Sequence, residues 1–387
     1  MRSRIPRRPS TLRSISSNAP VWDAGAGSDF PALAGNTNAD VCVIGLGGSG
    51  LACISELCAL GMRVVGIDAA RIAGGAAGRN GGFLLAGVAR FYHEAVAAYG
   101  RERARRMYEL SMLEIAHIAA ETPESVRLRG SLRLAESAEE EADCIAHGTA
   151  LQADGFACDA YDGPEGRGLL IPGDGSFDPL ARCRTLAQSA VASGAHLHER
   201  TPALHVERGC ITTASGSVQA PHTVIAVDGR LDLLVPALAG EVRTARLQML
   251  ATAPTTEVAI ARPVYARWGY DYWQQRPDGA IALGGARDVG GEGEWTHDTT
   301  PTTQVQNALE RRLREQLGVQ ATITHRWGAS VSYTSDGLPI VREVQPGVWA
   351  IGGYSGTGNV IGSVLGRGVA RVIAHNDHTL IEPFVRG

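Results

Sequence analysis

The sequence predicts an α/β protein that opens on a Rossmann-like βαβ unit, and three observations carry that prediction. Residues 40–50 read DVCVIGLGGSG, in which a short apolar, β-branched run of the kind found in strands buried on both faces ends in a cluster of glycines. A helical pattern follows from Leu51 to Leu60, Gly61 stops it, and RVVGID forms a second strand ending at Asp68. Together these occupy about thirty residues, the span of one βαβ unit. The chain of 387 residues is also longer than single cores usually grow, so a second domain is expected.

Residues 21–38 are rich in Gly, Ala, Asn and Pro and read as an irregular lead-in. Residues 91–122 form a helical block, and Glu136 to Leu151 a further helix whose acidic run, ESAEEEAD, is most simply a solvated face. DGSFDPLARCRTLAQSAVASGAHLHE then gives a helix leading into a short strand, and GSVQAPHTVIAVDG returns to buried-strand character. From about Val242 to Thr324 the chain is β-rich, with a hairpin turning at Asp278-Gly279 and a helix from Thr302 to Leu317. Trp349 to Gly353 is a closing strand, followed by the glycine-rich GYSGTGN and a helix through about Ala374. The nucleotide-binding domain is therefore expected to be discontinuous: 39–90, 171–241 and 325–387, with 1–38 as tail and lead-in and 91–170 and 242–324 as the second domain.

Composition narrows the function classes. A net charge of −4 offers no basic field for nucleic acid, and no apolar stretch approaches the ~18–20 residues of a membrane span. The seven cysteines lack C-x-x-C pairing and read as reduced, mostly buried residues, so a cytoplasmic location is expected. Arg2, Arg4, Arg7, Arg8 and Arg13 lie among serines in a stretch without acids; no secretory apolar segment follows, which favours a disordered tail over a targeting signal. All 36 basic residues are Arg; there is no Lys. His93, His117, His297 and His325 show no metal-ligand spacing, and Ser49 and Ser355 lack the matched base of a hydrolase triad.

Gly45, Gly47 and Gly50 satisfy G-x-G-x-x-G, for a tight turn, backbone approach to a pyrophosphate, and helix-on-strand packing. With 48 glycines in the chain the pattern alone is weak, but it stands between strand and helix, and Asp68 falls where a carboxylate would accept from a ribose diol. Past Asp68, RIAGGAAGRNGGF supplies a second glycine-rich loop, which an extended flavin dinucleotide needs and a nicotinamide does not. The run from Asp40 to Phe83 resembles the D-amino-acid oxidase superfamily, which includes glycine oxidase, sarcosine oxidase, D-amino-acid dehydrogenases and γ-glutamylputrescine oxidase; its GGAAGRNGGF loop is most like the γ-glutamylputrescine oxidase and amino-acid dehydrogenase members. DGSFDP, VIAVDGRLDLLVPAL, YDYWQQRPDGAIALGG, WGASVSYTSDGLPIV and IGGYSGTGNVIGSVLGR extend the match over about residues 21–380.

The resemblance implies a Rossmann-like FAD-binding domain of the glutathione-reductase type and a second α+β substrate domain containing a mixed sheet. It implies cofactor contacts from Gly45, Gly47, Gly48, Ser49 and Gly50, from Asp68, Ala69 and Arg71, and from Ala77, Arg79, Asn80, Gly81 and Gly82. Gly353, Gly356, Thr357, Gly358 and Asn359 match the segment that wraps the pyrimidine side of the flavin. Arg276 matches the arginine that clamps a substrate carboxylate. On its strand, either Tyr270, Tyr272 and Gln274 face the flavin cavity with Trp273 behind, or the reverse; Tyr354 is a further candidate for the pocket.

The implied reaction is hydride removal from a carbon bearing an amine or amino-acid nitrogen onto flavin N5, with the imine then hydrolysed and oxygen or a quinone as final acceptor. Sarcosine oxidase-type members carry a Lys over the flavin and link FAD to a Cys in the C-terminal third; this chain has no Lys and no Cys beyond Cys210, so oxidase activity is in doubt and noncovalent FAD is expected. The competing readings are a flavoenzyme acting on a 2-hydroxy acid or another nitrogen-free substrate, and a flavin-holding assembly protein without turnover.

Overall fold

Val41 and Val43 point to one side of their strand and Cys42 and Ile44 to the other, and both sides are covered. The computed structural model describes residues 18–23, 25 and 29–386; the expected tail over the first sixteen residues lies outside them. Val41 and Val43 pack with Leu51, Leu186 and Leu365 from the helices Gly48–Ala59, Pro179–Ala192 and Ile361–His375. Cys42 and Ile44 pack on the opposite face with Ile67, Ile211 and Val218. Each fully buried side chain of this size contributes roughly 1.5–3 kcal/mol, which is why the strand reads as an unbroken apolar run.

The strand Val41–Ile44 lies inside a six-stranded sheet in the spatial order His196–His198, Val64–Ile67, Val41–Ile44, His222–Ile225, Val348–Gly352, Ile340–Gln345. Neighbours are parallel up to the final antiparallel hairpin. An eight-stranded sheet runs Ile323–Thr334, Val242–Thr252, Ile281–Gly285, Asp271–Gln275, Val264–Ala266, Ser131–Ala135, Gly166–Ile171, Asp159–Gly163. It is antiparallel except where Val264–Ala266 runs parallel to Ser131–Ala135, so the sheet is mixed as expected. The hairpin at Asp278-Gly279 is present, with Gly279 at φ +87°.

Several elements differ in detail from their sequence reading. The helical block over 91–122 breaks at Gly100, φ +83°, into Tyr92–Tyr99 and Arg101–Glu121. Pro221, with no amide to donate, splits GSVQAPHTVI into Gly216–Gln219 and His222–Ile225. Within the lead-in, Thr37–Asn38 is a short strand pairing with Gly216–Gln219. The helix beginning at Thr303 widens into a π turn at Arg312–Gln316, where Arg312 reaches back to Asp271 and Glu136. Among the described residues no helix is long and apolar enough to cross a membrane.

A buried ion network ties three helices together. Arg367, 5% exposed, donates from Nε to Glu114 at 3.1 Å and from Nη2 to Glu121 at 3.0 Å, and lies 3.7 Å from Glu56, which Arg371 also binds. Burial pushes the Glu121 carboxyl up, but the hydrogen bond to His117 and the charges of Arg367 and Arg182 outweigh it and hold it at about 2. Replacing Arg367 by Met leaves Glu114 buried without its cation, and the expected loss is about 3–5 kcal/mol in chemical denaturation. Because the Glu121 pKa is depressed, its stabilisation is present above the unfolded value of 4.5 and is lost as pH falls toward 2; the R367M variant should lose less over that window.

Candidate active site

A cavity of about 610 Å³ extends from the N-terminus of the Gly48–Ala59 helix to the tyrosine face of the Asp271–Gln275 strand. At its first end the glycine turn is sterically committed. Gly45 sits at φ +105°, where a Cβ would fall 2.4 Å from the Ala226 carbonyl oxygen, and a Cβ on Gly50 would fall 1.9 Å from the Gly45 oxygen. Gly47 caps the helix without a side chain, leaving first-turn amides open to an anion, and Gly47, Gly48 and Ser49 border the cavity while Gly50 packs behind. Arg182, 1% exposed and unremarkable in the sequence, also borders it: a Cβ on Gly48 would lie 3.6 Å from its Nη1, and its Nε has no partner.

Asp68 borders the same end and accepts from the amides of Leu46 and Ala70, both at 2.7 Å. Burial raises its pKa against the pull of those amides. Each carboxylate oxygen keeps a further acceptor site for a ribose hydroxyl. Free helix amides, an unpartnered buried guanidinium nitrogen and a carboxylate one strand away fit the pyrophosphate and ribose of FAD. Ala69 and Arg71 are exposed and lie outside the cavity.

The second glycine loop meets the third through two carboxamides. Asn80 donates to the carbonyls of Ala76 and Ala77, and its Oδ1 accepts from the Gly82 amide at 2.8 Å and from Asn359 Nδ2 at 3.1 Å; Asn359 also donates to the Phe83 carbonyl. Ala77, Asn80, Gly81, Gly356, Thr357, Gly358 and Asn359 border the cavity. Arg79, Gly82 and Gly353 do not. Arg79 turns away, donating to the Gly328 carbonyl and to Asn18, so it is not positioned beside a phosphate. The Gly353 amide is held by Asp228, which also accepts from Tyr354 and Ser332; burial pushes the Asp228 carboxyl up to about 6 despite these amides.

At the second end the strand orientation is resolved. Tyr270 and Tyr272 border the cavity, whereas Trp273, 3% exposed, packs on the far side beneath Arg312. Gln274 shares the tyrosine face but donates to the carbonyls of Gly81 and Gly82. Tyr354 borders the cavity at the dinucleotide turn, its hydroxyl beside Ser49 without reaching hydrogen-bond geometry.

Arg276 lies away from the cavity in which it was expected. Its guanidinium donates to the Val21 carbonyl at 2.6 Å, lies 5.1 Å from the Trp22 ring centroid and 3.5 Å from Asp278, and does not border the cavity, because its strand has reached the hairpin turn. Besides Arg182, the cations that border the cavity are Arg90, whose Nε donates to the Tyr99 hydroxyl and the Asp336 carbonyl, the exposed Arg230, and Arg133 and Arg287, none singled out by the sequence. Arg287 is boxed by Tyr270 at 5.3 Å, Trp295 at 4.8 Å and Tyr333 at 5.1 Å. Its signal was the same hairpin: it stands just past the strand Ile281–Gly285 that pairs with the tyrosines.

The family model for FAD-dependent oxidoreductases (DAO) matches residues 40–372. The chain is 29% identical to the probable oxidoreductase OrdL of Rhizobium meliloti (strain 1021), covering 87% of this chain and 83% of that one. It is 25% identical to the gamma-glutamylputrescine oxidoreductase of Escherichia coli (strain K12), covering 89% and 85%. In fold it is similar to glycine oxidase from Geobacillus kaustophilus, with a TM-score of 0.73 at 20% identity over 87% of this chain and 94% of that one. The L-amino acid deaminase of Proteus myxofaciens superposes with a TM-score of 0.76 at 16% identity, over 94% and 97%. With the glycine cradle and the match along most of its length, the chain belongs to the DAO family of FAD-dependent oxidoreductases.

Proposed function

We propose that the protein oxidises the C–N bond of an amine or amino acid that carries a carboxylate, using noncovalently bound FAD. The observation that carries this reading is the boxed guanidinium of Arg287 at the end of the cavity opposite the glycine cradle. When bound, FAD supplies the acceptor for the hydride leaving the nitrogen-bearing carbon, and the resulting imine hydrolyses to a carbonyl and ammonia or a smaller amine.

Arg287 takes the carboxylate in a bidentate pair and so fixes which carbon faces inward. Its own orientation is set by stacking on Trp295, whose other neighbour is Arg243 at 4.1 Å. Tyr270 and Tyr272 wall the reacting carbon from water. Burial pushes the Tyr333 hydroxyl up to about 12 and raises that of Tyr272, so both stay protonated and donate hydrogen bonds rather than acting as bases. The bordering carboxylates are already engaged: Asp68 by Leu46 and Ala70, Asp228 by Gly353, Tyr354 and Ser332, and Glu94 by the Phe91 amide. None of these carboxylates is basic enough to take the proton of an ammonium, so the amine enters neutral, with acceleration coming from orientation in a dry chamber. Cys183 borders the cavity, but burial pushes its thiol up to about 11, which leaves it unreactive toward the cofactor. The γ-glutamylputrescine oxidoreductase relative supports amine chemistry; oxygen or a quinone is the acceptor that returns the enzyme to its starting state.

Anaerobic mixing of the FAD-loaded protein with a panel of amines and amino acids tests the reaction, with bleaching of the visible flavin band expected; bleaching only by nitrogen-free 2-hydroxy acids would overturn it. Asp68→Ala and Asn80→Ala should each lower the FAD content of the purified protein, and full retention in both would remove these residues from the cofactor site. Arg287→Ala should raise KM for a carboxylate-bearing amine by roughly 10- to 150-fold, the equivalent of about 1.5–3 kcal/mol for a charged hydrogen bond. Arg276→Ala should leave that KM unchanged.

A further inference from the structure

Arg133 is a further cation of the same cavity, one whose charge nothing in contact answers. It lies on the strand Ser131–Ala135, is 8% exposed, and makes no side-chain hydrogen bond or ion pair among the described residues; its Nε is buried without a partner. Its guanidinium sits over the rings of Tyr265 at 5.2 Å and Phe91 at 5.8 Å. Asp174 feels the Arg133 charge, yet its carboxylate accepts instead from Ser131 Oγ at 2.6 Å and the Ala86 amide at 2.8 Å. Glu94 borders the cavity too, with a carboxylate turned to the Phe91 amide. Aromatic faces return about 0.5–2 kcal/mol to a cation, against a cost of several kcal/mol for a buried ion. Arg287 shows the same pattern, stacked on rings with no ion pair among the described residues. Arg230 also borders the cavity unpaired, but it is exposed and water solvates it.

The sheet register relates the two ring-stacked cations. Arg133 pairs with Tyr265, Tyr265 with Tyr272, and Tyr272 with Gly284, three residues before Arg287. Three strand spacings of about 4.8 Å put the two ends of this row roughly 14 Å apart in backbone, with the Tyr265 and Tyr272 rings between them. A site with a guanidinium at each end and aromatic walls between suits a ligand with an anion at each end and a short carbon chain.

We propose that the substrate is an amine bearing two carboxylates, one held by Arg287 and the other by Arg133. This rests on the reaction proposed above and narrows its substrate class to amino- or imino-dicarboxylic acids. Arg133 thereby acts as a specificity residue, selecting by the second charge while Arg287 orients the reacting end.

The test uses unreactive ligands on the FAD-loaded protein: succinate, glutarate and adipate, each beside its monomethyl ester, titrated by calorimetry and by perturbation of the flavin spectrum. At least one diacid should bind about tenfold or more tightly than its half-ester, the 1.4 kcal/mol expected of one further charged contact. In Arg133→Met the diacid should fall to the affinity of its half-ester. Equal affinity of diacid and half-ester at every chain length in the unmodified protein would overturn the proposal, and this comparison decides the matter even where the variant does not fold. A preference that survives in Arg133→Met would overturn it as well, as would loss of FAD from that variant together with no diacid preference in the parent protein, which would assign Arg133 to the cofactor. Bleaching by monocarboxylic amines without diacid preference defeats this inference alone. Diacid preference without bleaching by any amine defeats the reaction and leaves the two-anion site standing.

Discussion

The cavity depends on the contact between Asn80 and Asn359. Three glycine-bearing segments border this one cavity, the third distant in sequence from the other two, and glycine-rich backbone has little side-chain packing to hold it in place. The two carboxamides supply what the glycines lack: Asn80 binds its own loop at Ala76, Ala77 and Gly82, and Asn359 spans from it to the carbonyl of Phe83. Trp22 adds a bond to the Asn80 carbonyl from the lead-in, so the irregular segment before the first strand also braces the loop. Because buried amides without partners are costly, this arrangement strongly favours one relative placement of the loops.

Asp228 plays the matching part on the other side. It sits at φ +30° and gathers amides from Ser332, Gly353 and Tyr354, joining the strand Ile323–Thr334 of the eight-stranded sheet to the loop that follows Val348–Gly352 of the six-stranded sheet. Behind it, Arg367 binds the Ile361–His375 helix to Glu114 and Glu121 of the long helix. Polar hubs, rather than apolar packing alone, therefore set the geometry of the cavity walls, while the apolar clusters on both faces of the six-stranded sheet hold the frame on which those hubs stand.

The βαβ unit and the Asp278-Gly279 hairpin were legible in the sequence because each has a local cause, β-branched runs, a stop at Gly61 and a turn dipeptide, whereas the mixed sheet was expected only from the family resemblance. The cradle glycines were legible for the same reason, since their role follows from missing side chains. Arg79 and Arg276 were misplaced because residue type and loop position do not say where a long flexible side chain ends; one reaches Asn18 and the other Val21, both contacts distant in sequence. Arg133 and Arg287 escaped notice because an arginine left unpaired in a cavity looks, in sequence, like any surface arginine. Only the fold shows that its neighbours are rings.

The chamber has a narrow titration range of its own. No histidine borders it among the described residues, its cations are all guanidinium groups that stay charged, and burial lifts the Asp228 carboxyl to about 6 and pushes the Cys183 thiol and the Tyr333 hydroxyl above their ordinary values. Around neutrality, therefore, the walls offer no imidazole to take up or release a proton. An incoming ammonium must accordingly shed its proton elsewhere, and the basicity of the guest enters the kinetic profile.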